Sequence, residues 1–263
     1  MCGLCGHIIV WDEDMTKKEE AALKREERLR QEAQRVAGMR SFEREAMCAA
    51  LNCSALPQGF LICGIDEAGR GPLAGPVAAG ACILPVDHDI LYLNDSKKLS
   101  AGKRDKLYDI LTKEAVAWSV GIASPERIDE INILQATYEA MREAIAGLSE
   151  HFGIAPNGLV NDAVRIPEMN LPQAPVVKGD ARCISVAAAS ILAKVTRDRM
   201  MEEYDRRYPE YGFAAHKGYG TKAHIEALKQ YGPCPIHRRT FISHFVKIPD
   251  SGCVDVPAKQ YKD

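Results

Sequence analysis

The sequence predicts an α/β fold, a mixed sheet flanked by helices, and three observations point there. Short apolar runs rich in Val, Ile and Ala occupy residues 60–65 and 77–84, with a glycine-rich connector between them. They read as buried strands joined by a loop. From about residue 100 onward, strand-like and helix-like segments alternate, which suits a mixed sheet with helices packed on it. No run of about 18 apolar residues exists, so no membrane-spanning helix is expected.

Residues 16–46 are rich in Lys, Arg, Glu and Ala, with Leu23, Leu29, Val36 and Met39 at roughly helical spacing. Glu and Arg recur three and four apart, which supports a solvated helix. The first sheet strands follow at 60–65 and 77–84. Residues 100–116 have helical periodicity, with Ser100 as its cap. Residues 117–123 form a third strand. Ser124-Pro125 opens a helix with proline at its first position, and residues 132–152 form a longer amphipathic helix that Gly153 stops. Residues 158–162 form a short strand. Residues 184–208 form a long helix, apolar first and charged later, whose small residues from Ala187 to Ala193 pack close to the sheet. A last helix covers 221–231 and is stopped by Gly232-Pro233. The chain divides into an N-terminal tail (1–15), a helical extension (16–58), a catalytic domain (59–248) that includes the C-terminal helices, and a C-terminal tail (249–263).

The chain has 263 residues, 46% hydrophobic and 27% charged, an ordinary globular composition with length enough for one large domain plus appendages. The N-terminus lacks a secretion-signal pattern, so a cytoplasmic protein is expected. Nine cysteines, an odd number without a dense framework, read as thiols, with Cys63, Cys82 and Cys183 as small core residues. A net charge of −2 argues against a generally basic nucleic-acid binder, but only a local basic face is required; the segment from Lys97 to Lys106 is such a concentration, although by itself it reads first as a solvated helix start.

The chemistry concentrates in Gly64-Ile65-Asp66-Glu67-Ala68-Gly69-Arg70-Gly71-Pro72. Two adjacent acids close an apolar strand. Neighbours on a strand point to opposite faces, and the glycines that follow let the backbone turn so that both carboxylates reach one site. Asp162 ends another apolar strand. Asp180 precedes the long helix, where a carboxylate also suits a helix cap. Converging at one sheet edge, these acids offer the oxygen ligands that hard cations such as Mg²⁺ take. Gly69 and Gly71 expose backbone groups that a side chain would obstruct. Arg70 suits a phosphate, and the bared backbone suits a ribose 2′-hydroxyl. A Rossmann phosphate loop does not fit, because the G-x-G-x-x-G spacing is absent and an acidic pair precedes the glycines.

The run from Gly64 to Val77 closely resembles the first motif of the ribonuclease HII family. Asn94-Asp95-Ser96-Lys97-Lys98-Leu99-Ser100, Val160-Asn161-Asp162-Ala163, Lys178-Gly179-Asp180, SVAAASILAKVTRD from Ser185, His216-Lys217-Gly218-Tyr219-Gly220-Thr221 and His237-Arg238-Arg239-Thr240-Phe241 resemble its later motifs, in order across about residues 60–245. Residues 25–60 resemble the helical extension of some bacterial members. The resemblance implies a ribonuclease H-like fold and a metal-dependent endonuclease. Such an enzyme uses Mn²⁺ or Mg²⁺ and cuts 5′ of a ribonucleotide, in RNA–DNA hybrids or at single ribonucleotides in duplex DNA, leaving a 3′-hydroxyl and a 5′-phosphate. By position, Asp66, Glu67, Asp162 and Asp180 match the catalytic, metal-binding carboxylates. Gly69, Arg70 and Gly71 match the loop that reads the 2′-hydroxyl, Tyr219 the tyrosine that stacks on the neighbouring deoxyribose, and Lys97 a phosphate contact. A monomer is expected. The Gly-Arg-Gly signature favours type HII over the sister type HIII. One departure is Asn161, where an apolar residue is common. A register slip of one there would turn Asp162 away from the site, but the retained Asp162-Ala163 pair argues against it.

Other features are set aside. Cys2, Cys5 and His7 make half a zinc site without a second pair. Met1-Cys2-Gly3 resembles the start of class II glutamine amidotransferases, with nothing downstream to complete one. His224 is expected at the surface or core edge of its helix, and His237 in a structural or phosphate-contact role.

Overall fold

Strand β1 (Ile62–Ala68) lies at the centre of a five-stranded sheet in the computed structural model, which describes residues 17–88 and 90–247. It pairs antiparallel with β2 (Val77–Ile83), which pairs antiparallel with β3 (Ala117–Ala123). On its other side β1 runs parallel to β4 (Gly158–Asp162), and β4 parallel to β5 (Gln173–Val176), giving the order β3-β2-β1-β4-β5. A parallel neighbour needs a long crossover. The helix α3 (Pro125–Phe152) provides it between β3 and β4.

The remaining helices are α1 (Lys17–Leu51), α2 (Ala101–Glu114), α4 (Gly179–Arg182), α5 (Ile184–Arg207), α6 (Phe213–His216), α7 (Lys222–Tyr231) and α8 (Arg239–Ile242), with a 3₁₀ turn at Ser96–Lys98. Among the described residues no helix is long and apolar enough to cross a membrane. The zinc-like cluster at Cys2, Cys5 and His7 and the two tails lie outside the described residues.

Helix α5 covers one face of β1 and β2, and α3 covers the other. Burial on both faces explains why β1 and β2 read as continuous apolar runs. The approach of α5 is close enough that a Cβ at Gly64 would collide with the backbone of Ser185 and Val186, and one at Gly80 with the Ala189 carbonyl. The small residues of α5 are therefore core, as the sequence predicts. Cys63, Cys82 and Cys183 are buried free thiols.

Helix α3 begins where Ser124 Oγ accepts from the Arg127 N–H, with Pro125 next to the cap. It kinks at Asn132, whose φ is 69°, and the Asn132 side chain caps the second segment by accepting from the Leu134 and Gln135 N–H groups. That kink explains two helical signals in one stretch of sequence. Gly153 ends the helix at φ 67°. Ser100 stands at the start of α2 but makes no side-chain capping bond.

The first half of α1 is exposed, while Val36, Met39, Glu43 and Met47 line a buried face in the second. Glu43 Oε2 accepts from the Ser185 N–H at 2.8 Å and Oγ at 2.6 Å, pinning α1 to the start of α5. Burial, partly offset by those bonds, raises the Glu43 pKa to about 7. A carboxyl whose folded pKa is raised contributes stability that is full below its unfolded pKa of about 4.5 and lost as pH climbs through about 7. Glu43→Gln keeps the acceptor and removes the charge. Its unfolding free energy should exceed that of the wild type at pH 8, by up to about 3 kcal/mol, and the gap should close by pH 4. A constant gap across that range, measured by urea titration, contradicts this account of the joint.

Candidate active site

The register Gly64↔Val160 and Ile65↔Asn161 aligns the ends of β1 and β4, so the next step sets Asp66 beside Asp162. Asp66 is 6% exposed. Its Oδ1 accepts from the Glu67 N–H at 2.8 Å, and it is hydrogen-bonded to Ser190 of α5, whose Oγ lies 2.9 Å from Ser96 Oγ. Burial first, then the Glu67 charge and the Asp162 charge, hold the Asp66 carboxyl well above the usual carboxylate range. Burial also raises Glu67, against the pull of Arg70, whose Nη1 is 3.2 Å from Glu67 Oε1.

Asn161 does not slip the register. Its side chain is buried and donates to Gln173 Oε1 at 2.8 Å, and Gln173 in turn bonds both the N–H and the carbonyl of Ile166. The polar residue thus braces the segment between β4 and β5, while Asp162 accepts from the Gly179 N–H at 2.7 Å. Asp180 stands in α4, and Cys183, not Asp180, occupies the cap position of α5. Burial, then Asp95 and Asp162, raise the Asp180 carboxyl.

The four acids therefore influence one another electrostatically at one sheet edge, and the 3₁₀ turn brings Lys97 to the same place, where its charge lowers both Glu67 and Asp180. They gather without closing. Among the described residues no group of three or more His, Cys, Asp or Glu side chains is set to hold a metal ion. Glu67 is turned to Arg70, Asp162 to Gly179 and Asp180 to Asp95. The donor set itself, all carboxylate oxygen, fits Mg²⁺ or Mn²⁺.

The glycine loop is held from beneath by two buried arginines. Arg238 Nη2 donates to the Gly69 carbonyl at 2.6 Å and to that of Pro76 at 3.2 Å, its Nη1 to Arg70 O at 2.9 Å, and its Nε to Gly75 O at 2.9 Å. Arg197 donates to the carbonyls of Pro76, Ala74 and Lys217. Burial, then the charge of Arg197, push the Arg238 pKa down to about 9, so it remains charged at neutral pH. Gly69 has φ 95°, and a Cβ there would run into Arg197. Only part of the backbone that the sequence suggests is bared for a ligand is free: the carbonyls of Gly69 and Arg70 are used internally. No hydrogen bond among the described residues uses the Arg70 or Gly71 N–H. Tyr219 is 45% exposed, and its ring edge would lie 3.7 Å from a Cβ at Gly71.

Asp95, Ser190, Arg197 and Arg238 contact the candidate site, and residue-type reasoning did not single them out. All four fall inside the quoted motifs, which was the available signal. His224 is a correction: it is fully buried, not at the surface or core edge, because its helix turns it onto Phe213 and His237.

A mixed sheet whose central parallel pair ends in carboxylates fits a hydrolase of the ribonuclease H type, a metal-dependent nuclease. A sequence model described as Ribonuclease HII matches residues 63–244, and the chain belongs to the ribonuclease HII family. It is 61% identical over 188 residues to a ribonuclease HII of Lachnoclostridium phytofermentans, covering 72% of each sequence. It is 51% identical over 219 residues to one of Caldanaerobacter subterraneus subsp. tengcongensis, covering 83% of this chain and 86% of that one. The structure is similar to that of ribonuclease H2 from Pyrococcus horikoshii OT3, with 32% identity, a TM-score of 0.57, and coverage of 69% of this chain and 93% of that one. Bst-RNase HIII, solved in complex with Mn²⁺, shares the fold at 16% identity and a TM-score of 0.53, over 66% of this chain and 63% of that one.

Proposed function

We propose that the chain is an endoribonuclease that cleaves the RNA strand of RNA–DNA hybrids and cuts 5′ of single ribonucleotides in duplex DNA, leaving a 3′-hydroxyl and a 5′-phosphate. The observation that carries this reading is Asp66, a carboxylate buried at a strand end against Glu67 and Asp162. A desolvated group among like charges is costly for folding and is typical of functional sites. Asp66, Glu67, Asp162 and Asp180 would hold two Mg²⁺ or Mn²⁺ ions, which when bound activate water and offset charge on the leaving oxygen. To do so, Glu67 would leave Arg70 and Asp180 would leave Asp95.

The protein's own part is positioning. Arg197 and Arg238 hold the loop carbonyls inward, which supports the Arg70 and Gly71 N–H groups as donors to a ribose 2′-hydroxyl. Arg70 and Lys97 would take phosphates, and Tyr219 would stack on the sugar that follows. The chain would act as a monomer in the cytoplasm, with 16–58 as an extension and 59–248 as the catalytic domain.

The test is a duplex DNA carrying one ribonucleotide, incubated with Mg²⁺ or Mn²⁺ and then with chelator, with the product ends mapped. Metal-dependent cleavage 5′ of the ribonucleotide is expected. A duplex bound yet uncut under every metal condition contradicts the assignment. Tyr219→Ala should reduce cleavage of that duplex by about tenfold or more, since stacking is worth about 1–3 kcal/mol, with a smaller loss on long hybrids. An equal loss on both substrates contradicts the stacking role.

A further inference from the structure

Beside Tyr219, His216 at the end of α6, His224 in α7 and His237 before α8 pack into one group with Cys234. His224 and His237 are fully or nearly fully buried, and the rings of Phe213 and Tyr211 flank them at 5.4 and 5.0 Å. His216 stacks on His224 at 4.4 Å.

The hydrogen-bond geometry points to one set of tautomers. His237 Nδ1 accepts from the Cys234 N–H at 3.0 Å and lies 3.1 Å from Cys234 Sγ; the Cys234 carbonyl is farther, at 3.3 Å, and already accepts from the His237 N–H, so the proton is assigned to Nε2. That Nε2 is 3.1 Å from His224 Nε2, which must then accept. His224 therefore carries its proton on Nδ1, 2.9 Å from the Tyr219 carbonyl. The same carbonyl accepts from the Thr221 N–H at 2.8 Å. His216 Nδ1 accepts from the Gly218 N–H at 3.2 Å, and its Nε2 faces the Tyr211 carbonyl at 2.8 Å. The string from Cys234 through His237 and His224 ends on the Tyr219 carbonyl, while His216, stacked on His224 without a hydrogen bond to it, separately holds the Gly218 N–H. Gly218 in turn accepts from the Leu73 N–H at 2.8 Å, joining this turn to the glycine loop.

We propose that this directed string of neutral histidines locks the backbone of Tyr219, with His216 holding Gly218 beside it, making His224 and His237 positioning residues for ribonucleotide recognition. The functional half rests on the reading that Tyr219 stacks on substrate; the string does not. Burial supports neutrality, pushing His224 down to about 4 and His237 to about 3. A second proton on His224 would set two donors face to face at the Nε2 contact, and one on His237 would set its Nδ1–H against the Cys234 N–H.

Two measurements on the full chain test this. Long-range ¹H–¹⁵N spectra of the imidazoles at pH 7 should show His237 as the Nε2–H tautomer and His224 as the Nδ1–H tautomer. Identical tautomers, or a charged ring, would overturn the string. His224→Phe should lower kcat/KM on a single-ribonucleotide duplex by about tenfold or more, in line with other orienting partners. His224→Asn, which keeps a donor near the Tyr219 carbonyl, should recover most of it. In a Tyr219→Ala background, His224→Phe should add little. A full further loss there would mean a general structural role and overturn the positioning claim. Wild-type cleavage by Tyr219→Ala alone would overturn the functional half, while opposite tautomers would still uphold the string.

Discussion

Asp66→Asn is expected to lower the single-turnover cleavage rate by at least about a hundredfold, as loss of one preorganised electrostatic group does in other enzymes, with substrate affinity within a few-fold of wild type. The side chains are nearly isosteric, so the amide still fits beneath Ser190 and still offers an oxygen to the Glu67 N–H. What disappears is one negative charge and with it a proposed metal ligand. The same change should stabilise the metal-free protein. Burial and the neighbouring acids raise the folded-state pKa of Asp66, so at neutral pH its ionisation works against folding. A variant nearly inactive yet more resistant to heat in chelator is the signature of a residue kept for chemistry at a cost in stability. Wild-type turnover, or a lower melting temperature in chelator, would contradict the role assigned to it.

Arg238→Gln should cost more than about 3 kcal/mol of unfolding free energy. Four loop carbonyls converge on this guanidinium, and each buried acceptor left without a donor costs about 1–3 kcal/mol. A glutamine amide serves one or two of them. Removing a buried positive charge near Arg197 returns part of the loss, since that neighbour and burial already disfavour the charged form. Arg238→Lys keeps the charge without the planar fork, and should fall between. In both variants, discrimination between a ribonucleotide and a deoxyribonucleotide should suffer more than cleavage of long hybrids, because the loop that presents the Arg70 and Gly71 N–H groups has lost its floor. A change below about 1 kcal/mol by urea titration would show that the carbonyls find other partners.

The two arginines show where sequence reasoning stops. Arg197 sits in the charged half of α5, where a helix normally meets water, and its burial depends on carbonyls more than a hundred residues away. Nothing local signals that. Strands β1 to β4 and the helices α2, α3, α5 and α7 were legible because apolar runs, Ser124, Pro125 and Gly153 mark them locally. Strand β5 was not, since Gln-Ala-Pro-Val is four residues long and contains a proline that suits an edge strand. The short helices α4, α6 and α8, at four residues each, carry no period to read. His224 was misplaced because a helical period says which residues share a face but not what waits opposite. Asp66, Glu67 and Asp162 were legible as candidates from their strand-end positions. The pairing of Asp180 with Asp95 was not, since it requires the 3₁₀ turn to fold back on α4.

The most direct test is anomalous scattering from crystals of the chain grown with Mn²⁺. Manganese peaks within about 2.0–2.4 Å of carboxylate oxygens of Asp66, Glu67, Asp162 and Asp180, with Glu67 drawn off Arg70, are the expected result. Peaks confined to other acids, or a site in which Glu67 and Asp180 keep their present partners at saturating Mn²⁺, would contradict it.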